Sequence, residues 1–283
     1  MRAVYINGHF VRPKEASISI FDRGYLYGEG AFETLRAYAG RPAFCNLHYH
    51  RLAQNCVQLR IDLPLSEYAF ERALMRSLQV NKVRNAYLRV TVSPVGASFG
   101  IARPVTMPTN VVIFCRDFHG RPRQHYARGT SVVLIRSVHG DLPEIATIKS
   151  TSYLTRMLAR MEIQEAGADE GLLATPSGRL LEGSATNLFI VQGGRLVTPP
   201  LGDGVLPGVT RFVVMGCADS LGIPWREAHL ATAHLKRADE IFLTGSTAEV
   251  LPVREVRGIT AKSRTPGPFT RQLMAAYQKL LPH

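Results

Sequence analysis

The sequence lacks the features that mark secreted, membrane-spanning and metal-binding proteins. Its four cysteines, Cys45, Cys56, Cys115 and Cys217, form no C-x-x-C pair and no metal-ligand spacing. No window approaches the roughly 18 apolar residues of a membrane span. At the N-terminus, the turn signal Asn7-Gly8 precedes any long apolar run, which argues against a signal peptide. We therefore expect a cytoplasmic protein with free thiols, no metal and no membrane segment.

Motifs of several large enzyme classes are also missing. There is no G-x-S-x-G, no H-E-x-x-H and no glycine-rich phosphate loop. These absences disfavour a serine hydrolase, a zinc peptidase and a P-loop nucleotide-binding enzyme.

Acidic residues are scarce relative to basic ones, since 34 Lys and Arg face 22 Asp and Glu and leave a net charge of +12. This balance admits a basic nucleic-acid-binding protein. However, the basic residues are spread along the chain, with a local cluster only at Arg121, Arg123 and Arg128. A positive field also attracts anionic metabolites or a phosphorylated cofactor, so charge alone does not decide the function.

The length and composition predict two domains. The chain has 283 residues, of which 46% are hydrophobic, enough for a large core. We expect an α/β fold of the α+β type with a small N-terminal domain at 1–117, a linker at 118–129 and a large C-terminal domain at 130–283. Periodicity predicts a hairpin over 4–11, helices over 47–60, 66–79 and 269–281, and strands over 86–92, 110–115 and 131–135. Residues 249–256 with Gly258 indicate a second hairpin.

Lys149 lies between an apolar run and the predicted first turn of an amphipathic helix. Thr151 or Ser152 would cap that helix, and Leu154 and Met157 begin its apolar stripe. Apolar surroundings near a helix's positive end favour the neutral amine, the form that makes a Schiff base with an aldehyde cofactor. A solvent-exposed lysine is the commoner outcome for such a residue taken alone.

Glu182 lies among small and apolar residues. A carboxylate in such surroundings either contacts a buried cation, such as a protonated pyridine nitrogen, or belongs to an ordinary turn.

Three places offer groups for a phosphate. Val209 and Thr210 begin a predicted helix, the hydroxyl-rich turn at 244–248 follows a strand, and Arg51 supplies positive charge. Hydroxyl-rich turns are also common as simple caps.

On the strand 86–92, Tyr87 and Arg89 share the face opposite the apolar one. That face could line a cavity or could be exposed to solvent.

Six motifs occur in a fixed order: Asp22-Arg23-Gly24 with Tyr27-Gly28-Glu29-Gly30-Ala31-Phe32-Glu33; Leu47-His48-Tyr49-His50-Arg51-Leu52; Lys149; Glu182-Gly183 with Asn187-Leu188-Phe189; Leu206-Pro207-Gly208-Val209-Thr210-Arg211; and Gly245-Ser246-Thr247-Ala248-Glu249-Val250 with Pro252-Val253. Together they resemble the fold type IV, or class IV, aminotransferases, which depend on pyridoxal 5'-phosphate (PLP). This family contains branched-chain amino acid aminotransferases, D-amino acid aminotransferases, (R)-selective amine transaminases and aminodeoxychorismate lyases. The resemblance spans nearly the whole chain.

The resemblance implies a role for each matching residue. Lys149 would form the Schiff base with PLP and move the proton between Cα and C4′, and Glu182 would pair with the pyridine nitrogen. The other cofactor contacts would come from Arg51, Tyr153, Leu206, Val209, Thr210 and Ser246. Substrate contacts would come from Phe32, Tyr87, Arg89, Thr247 and Ala248. Tyr153 follows the lysine one residue sooner than the corresponding tyrosine of branched-chain enzymes.

The pattern is closest to the branched-chain enzymes, because Tyr87 and Arg89 match their strand and Phe32 stands where D-amino acid enzymes carry tyrosine. The post-lysine Ser-Thr-Ser resembles D-amino acid enzymes and lyases instead, and Arg103 and Arg128 could supply an unusual carboxylate clamp. The resemblance implies two domains with PLP in the cleft between them, and a homodimer. It also implies transamination from a branched-chain L-amino acid to a 2-oxo acid such as 2-oxoglutarate. A D-amino acid or (R)-amine transaminase, and then a lyase, are the alternatives.

Overall fold

The structure, a computed structural model, describes residues 1–96, 100–136, 143–259 and 265–283, without the side chain of Pro143. These residues belong to two compact units. The first consists of Met1–His119, Ile148–Tyr153 and Leu281–His283, and the second of Gly120–Thr147 and Leu154–Leu280. The segment that contains Lys149 thus belongs to the first unit, whereas the sequence interpretation placed it in the C-terminal domain.

The first unit is built on an antiparallel sheet. Its elements are β1 (Val4–Ile6), β2 (His9–Val11), α1 (Arg23–Tyr27), β3 (Ala31–Tyr38), β4 (Arg41–Pro42), α2 (Cys45–Gln58), α3 (Glu67–Asn81), β5 (Ala86–Pro94) and β6 (Thr109–Asp117). Among the described residues, the strands form a six-stranded sheet in the order β2-β1-β6-β5-β3-β4.

Local sequence signals explain several of these elements. The β1–β2 hairpin turns at Asn7 and Gly8, which have φ values of 48° and 96°, the two positive values that a type I′ turn requires. Ser66 caps α3, since its hydroxyl accepts a hydrogen bond from Ala69 N over 3.2 Å. The hairpin predicted over 4–11 and the helix predicted from residue 66 are thus confirmed.

The core of the first unit lies between the sheet and the helices α2 and α3. Leu88 and Val90 of β5 are fully buried there with Leu52 of α2 and Phe70 of α3. On the opposite face of β5, alternate residues are half-buried. The predicted alternation is therefore confirmed, and its second face is partly covered.

The second unit is also an α/β structure. Its elements are α4 (Arg123–Arg128), β7 (Thr130–Ile135), α5 (Pro143–Ala146), α6 (Leu154–Glu165), β8 (Glu170–Ala174), β9 (Arg179–Gly183), β10 (Asn187–Gln192), β11 (Arg195–Thr198), α7 (Val209–Ser220), β12 (Trp225–Glu227), β13 (Leu230–Ala231), α8 (Thr232–Arg237), β14 (Glu240–Gly245), β15 (Glu249–Val256) and α9 (Pro268–Lys279). Its described strands form a nine-stranded sheet in the order β12-β11-β10-β14-β15-β7-β8-β9-β13. An extra pairing of β9 with β10 closes six of these strands into a ring.

One sequence prediction for these elements is wrong, as the start of helix α6 shows. Residues 249–256 form a strand that pairs with β14 and β7, and the expected turn at Gly258 follows it, with an antiparallel bridge between Val256 and Ile259. Within the expected linker, Arg123–Arg128 form the helix α4. Helix α6 begins at Leu154 rather than after a cap at Thr151 or Ser152, because Thr151 bonds to the backbone of Gly28 and Gly30 instead.

Helix α6 exposes the apolar stripe that the sequence predicted. Leu154 is 70% exposed and Met157 55%, and Leu158 and Met161 are also exposed, whereas Ala159 and Ile163 are buried. No helix in the described ranges combines the length and the apolarity needed to cross a membrane.

Candidate active site

Lys149 lies in a short extended segment that pairs with the start of β3. Phe32 N donates a hydrogen bond to the carbonyl oxygen of Lys149 over 2.9 Å, and Thr151 N donates to Gly30 O over 2.8 Å. The hydroxyl of Thr151 donates to Gly28 O over 2.8 Å. These bonds fix the backbone on both sides of the lysine to the first unit.

The ring of Phe32 gathers three of the predicted site residues. The amine Nζ of Lys149 lies 4.5 Å from the ring centroid, and the guanidinium carbon of Arg89 lies 3.8 Å from it. Tyr153 meets the same ring edge-on, with the centroids 5.4 Å apart. A cation over an aromatic face is attracted by the ring's quadrupole, so Phe32 orders the side chains around the lysine.

Tyr87 lies two residues before Arg89 on the same face of β5. Its hydroxyl is 3.4 Å from the hydroxyl of Thr34. Its ring stacks on Phe114 with the centroids 6.2 Å apart, and Arg116 lies over the ring at 5.2 Å. The face that carries Arg89 is thus lined by ordered aromatic side chains.

Arg51 belongs to a buried trio with Glu33 and His48. Arg51 Nε and Nη2 donate to the two carboxylate oxygens of Glu33 over 2.7 and 2.8 Å, and His48 Nδ1 lies 2.7 Å from Glu33 Oε2. His48 and Arg51 are three residues apart on α2 and therefore share one face of that helix. Sequence reasoning did not assign Glu33 to the site, although it follows Phe32 directly.

The electrostatics of this trio favour an ionised Glu33 beside a neutral His48. Burial alone would raise the pKa of Glu33, but Arg51 and His48 outweigh it and hold that pKa well below the ordinary value. Burial lowers the pKa of His48, against an opposing effect of Glu33. One negative and one fixed positive charge therefore remain, in a site with almost no solvent.

In the second unit, Glu182 is the centre of a hydrogen-bonded network. It lies on β9 and is 2% exposed. Its Oε2 accepts from Asn187 Nδ2 over 3.0 Å and from Leu206 N over 3.1 Å. Arg156 contacts its Oε1. The carboxylate is buried beside a cation, which was one of the two sequence alternatives, but that cation is an arginine that the sequence did not reveal.

Helix α7 begins at Val209 next to this network. Its N-cap is Gly208, which offers no side-chain hydrogen bond to the first turn. A Cβ at Gly208 would lie 1.9 Å from Asn187 Oδ1, so the position admits only glycine without rearrangement. The first backbone N–H groups of a helix point out of its end and favour an anion there.

The turn at 245–248 follows β14, whose Thr244 pairs in register with Asn187. In the described part of the chain, the buried hydroxyls of Thr244 and Thr186 have no hydrogen-bond partner. Ser246 and Thr247 are half-buried, and Ala248 is buried. A small anionic group such as a phosphate would suit these surroundings. It could accept hydrogen bonds from the unpaired hydroxyls and from the first N–H groups of α7, close to the backbone of Gly208.

Arg103 and Arg128 do not share one environment. Arg103 Nε pairs with Glu29 at 2.6 Å, and its Nη2 donates to the carbonyl oxygens of Leu59 and Arg60. Arg128 ends α4 and is exposed.

Comparison with known proteins decides the family. A model described as amino-transferase class IV matches residues 30–256. The chain belongs to the class IV aminotransferases. It is therefore a PLP-dependent aminotransferase with the fold of that family, and the nucleic-acid alternative falls away.

Relatives within the class IV aminotransferases differ in their named substrates. A protein of Methanocaldococcus jannaschii named "Putative branched-chain-amino-acid aminotransferase" is 36% identical over 280 residues, covering 98% of this chain and 96% of the relative. A Staphylococcus aureus D-alanine aminotransferase is 28% identical and covers 99% and 98%. The crystal structure of Escherichia coli branched-chain amino acid aminotransferase has a TM-score of 0.90 and 28% identity, covering 99% and 94%.

Each unit by itself carries groups whose chemistry suits a part of PLP. The first unit supplies an amine on an ordered aromatic surface and a buried arginine. The second supplies a buried carboxylate and a helix start suited to an anion.

Proposed function

We propose that this enzyme transfers the amino group of a branched-chain L-amino acid to a 2-oxo acid such as 2-oxoglutarate, in a ping-pong reaction. The observation that carries this proposal is the Phe32 cluster. Aromatic rings of Phe32 and Tyr153 beside Lys149 suit an aliphatic side chain, and Arg89 suits a carboxylate. The similarity to branched-chain enzymes supports the same substrate class.

Lys149 is the proposed catalytic residue. Its amine would hold the cofactor through the aldehyde carbon and would carry the proton between the substrate's Cα and the cofactor's C4′. The cofactor would supply the electron sink for the charge that develops at Cα. Glu182 would pair with the pyridine nitrogen and favour its protonated form. Tyr153 packs against the ring of Phe32 and so helps to hold that ring beside the amine of Lys149.

We propose that the start of α7 and the turn at 245–248 bind the phosphate. Val209 N, Thr210 N and the Thr210 hydroxyl supply donors, together with the Ser246 hydroxyl. The family resemblance assigns a cofactor contact to Arg51 as well, and the five N–H donors of a guanidinium permit it to serve Glu33 and an anion together. Leu206 contacts the cofactor and holds Glu182 through its amide. Substrate contacts fall to Phe32, Tyr87, Arg89, Thr247 and Ala248.

The contacts of Arg103 support the branched-chain substrate over the D-amino acid alternative. A carboxylate clamp would need its guanidinium, but Glu29 and two backbone carbonyls already hold it. Because the chain is also similar to a D-alanine aminotransferase, D-amino acid transamination is tested below beside the branched-chain activity. The (R)-amine transaminase and lyase reactions are tested in the same way.

The exposed apolar stripe of α6 supports a homodimer. Solvated leucines and methionines at 154, 157, 158 and 161 form a continuous helix face, and faces of this kind are commonly covered by another subunit. Sedimentation should give a dimer mass, and Met161→Glu should shift the protein toward monomer. The four free thiols support a reducing cytoplasm.

A half-reaction panel tests the function. The purified protein should absorb visible light through its bound cofactor, and borohydride reduction should attach the cofactor covalently to Lys149. Lys149→Ala should show neither the visible absorbance nor the covalent attachment. L-leucine should convert the bound cofactor, while D-alanine, (R)-1-phenylethylamine and aminodeoxychorismate should not. Conversion by D-alanine without conversion by L-leucine would make the branched-chain assignment wrong.

A further inference from the structure

Arg156 joins helix α6 to the end of strand β9. Its Nη2 contacts Oε1 of Glu182. Its Nη1 donates to the carbonyl oxygens of Gly183 and Ser184 over 2.9 and 3.3 Å. One guanidinium therefore binds both the carboxylate of Glu182 and the backbone that follows it, which fixes the cation relative to the carboxylate.

The other oxygen of Glu182 is held separately. Asn187 Nδ2 and Leu206 N donate to Oε2 over 3.0 and 3.1 Å. These two donors are neutral and come from β10 and from the segment before α7. The orientation of the carboxylate thus does not depend on Arg156 alone, and what Arg156 contributes beyond them is positive charge.

The charge acts over a short distance in a site with little water. The Glu182 side chain is 3% exposed and that of Arg156 18%. An arginine cannot lose its proton in a protein, and burial strengthens its interaction with nearby charges relative to water. The carboxylate therefore faces a permanent cation whether or not a protonated ring nitrogen is present.

We propose that Arg156 is a positioning residue that acts on the cofactor through Glu182: its fixed charge weakens the hold of that carboxylate on the ring-nitrogen proton. The inference rests on the proposed pairing of Glu182 with the pyridine nitrogen. Arg156 therefore lowers the pKa of the ring nitrogen, and a ring that is protonated less often withdraws electrons less strongly. At the same time, Arg156 compensates the buried negative charge of Glu182.

The test measures protonation of the ring nitrogen rather than turnover. Wild type, Arg156→Gln and Arg156→Lys are loaded with PLP labelled with ¹⁵N in the ring, and the ¹⁵N chemical shift is followed against pH. Glutamine keeps hydrogen-bond donors and removes the charge, whereas lysine keeps the charge and loses the planar fork. Arg156→Gln should raise the pH midpoint by about one unit or more, the size expected for removing a nearby like charge. Arg156→Lys should stay close to wild type.

Each other result overturns the proposal. Equal midpoints in all three proteins would show that the charge does not reach the ring. Equal shifts in both variants would show a structural role of the fork. Loss of the cofactor from either variant, measured by its absorbance, would show that Arg156 builds the site rather than adjusting it.

Glu182→Gln separates this inference from the residue assignment on which it rests. If Glu182→Gln leaves the ¹⁵N titration unchanged, Glu182 does not meet the ring nitrogen and the assignment fails. If Glu182→Gln shifts the titration and Arg156→Gln does not, only the role of Arg156 fails.

Discussion

Glu33 and Arg51 form a two-point ion pair in the interior of the first unit, with Nε–Oε1 and Nη2–Oε2 distances of 2.7 and 2.8 Å. The Glu33 side chain is fully buried, and that of Arg51 is 8% exposed. Such a pair is costly to break because the surviving charge is left buried without compensation. It ties strand β3, next to Lys149, to helix α2.

Glu33→Gln should therefore destabilise the protein strongly. The variant keeps the shape of the side chain but leaves the guanidinium of Arg51 without its counter-charge, at an expected cost of about 3–5 kcal/mol. Urea unfolding measures the change in the free energy of unfolding. Glu15→Gln is the matched control, because Glu15 pairs with Arg12 at an exposed position, where an ion pair contributes little to stability. Equal effects of the two variants would contradict the prediction.

The same pair predicts a loss of stability in acid. The pKa of Glu33 in the folded protein lies below its ordinary value of 4.5, so the unfolded state binds a proton more readily. The stabilisation is fully present above that ordinary value and is lost progressively as the pH falls below it. Urea unfolding from about pH 6 to about pH 3 should show the difference between wild type and Glu33→Gln shrinking toward acid. A difference that stays constant with pH would assign the stability to other groups.

How far the sequence predicts this structure depends on how local the determining contacts are. The cap at Ser66 and the Asn7-Gly8 turn involve neighbours within three or four residues, and the helix and the hairpin that they determine are present as predicted. The predicted start of α6 is wrong because the Thr151 hydroxyl donates a hydrogen bond to Gly28, 123 residues away in the sequence. A helix signature cannot register such a competing partner.

The candidate site shows the same division. The motifs with Lys149 and Glu182 identified the family, and the comparisons confirm it. Arg156 and Glu182 lie 26 residues apart, one on a helix and the other on a strand. The periodicity of a single element therefore cannot predict their pairing. The helix predicted over 47–60 places His48 and Arg51 on one face, but the pairing of both with Glu33 depends on the packing of α2 on β3.

Thr151 is expected to hold the lysine segment in place through its hydroxyl. Thr151→Val keeps the side chain's shape and removes the bond to Gly28 O, at a cost of about 1 kcal/mol, or about fivefold in an equilibrium constant. PLP affinity, measured by titrating the visible absorbance of the bound cofactor, should fall by that factor. Thr151→Ser retains the hydroxyl and should bind PLP like wild type. If the serine variant binds as weakly as the valine variant, the methyl group and not the hydrogen bond positions Lys149.

Gly208 should be irreplaceable at the start of α7. An added Cβ would lie 1.9 Å from Asn187 Oδ1, and Asn187 is the side chain that donates to both Glu182 and Leu206 O. Gly208→Ala should displace Asn187, weaken both bonds and lower PLP affinity about tenfold, since tenfold corresponds to about 1.4 kcal/mol and each lost bond contributes about 1.

Gly216 provides the control for that substitution within the same helix. Nothing lies within 4 Å of a Cβ there, and the position is exposed in the interior of α7. Gly216→Ala should leave PLP affinity unchanged and stabilise the protein by about 0.5–1 kcal/mol, because alanine loses less backbone entropy than glycine in a helix. If Gly208→Ala binds PLP as tightly as Gly216→Ala does, the close approach of the chain to Asn187 is not what shapes this end of the site.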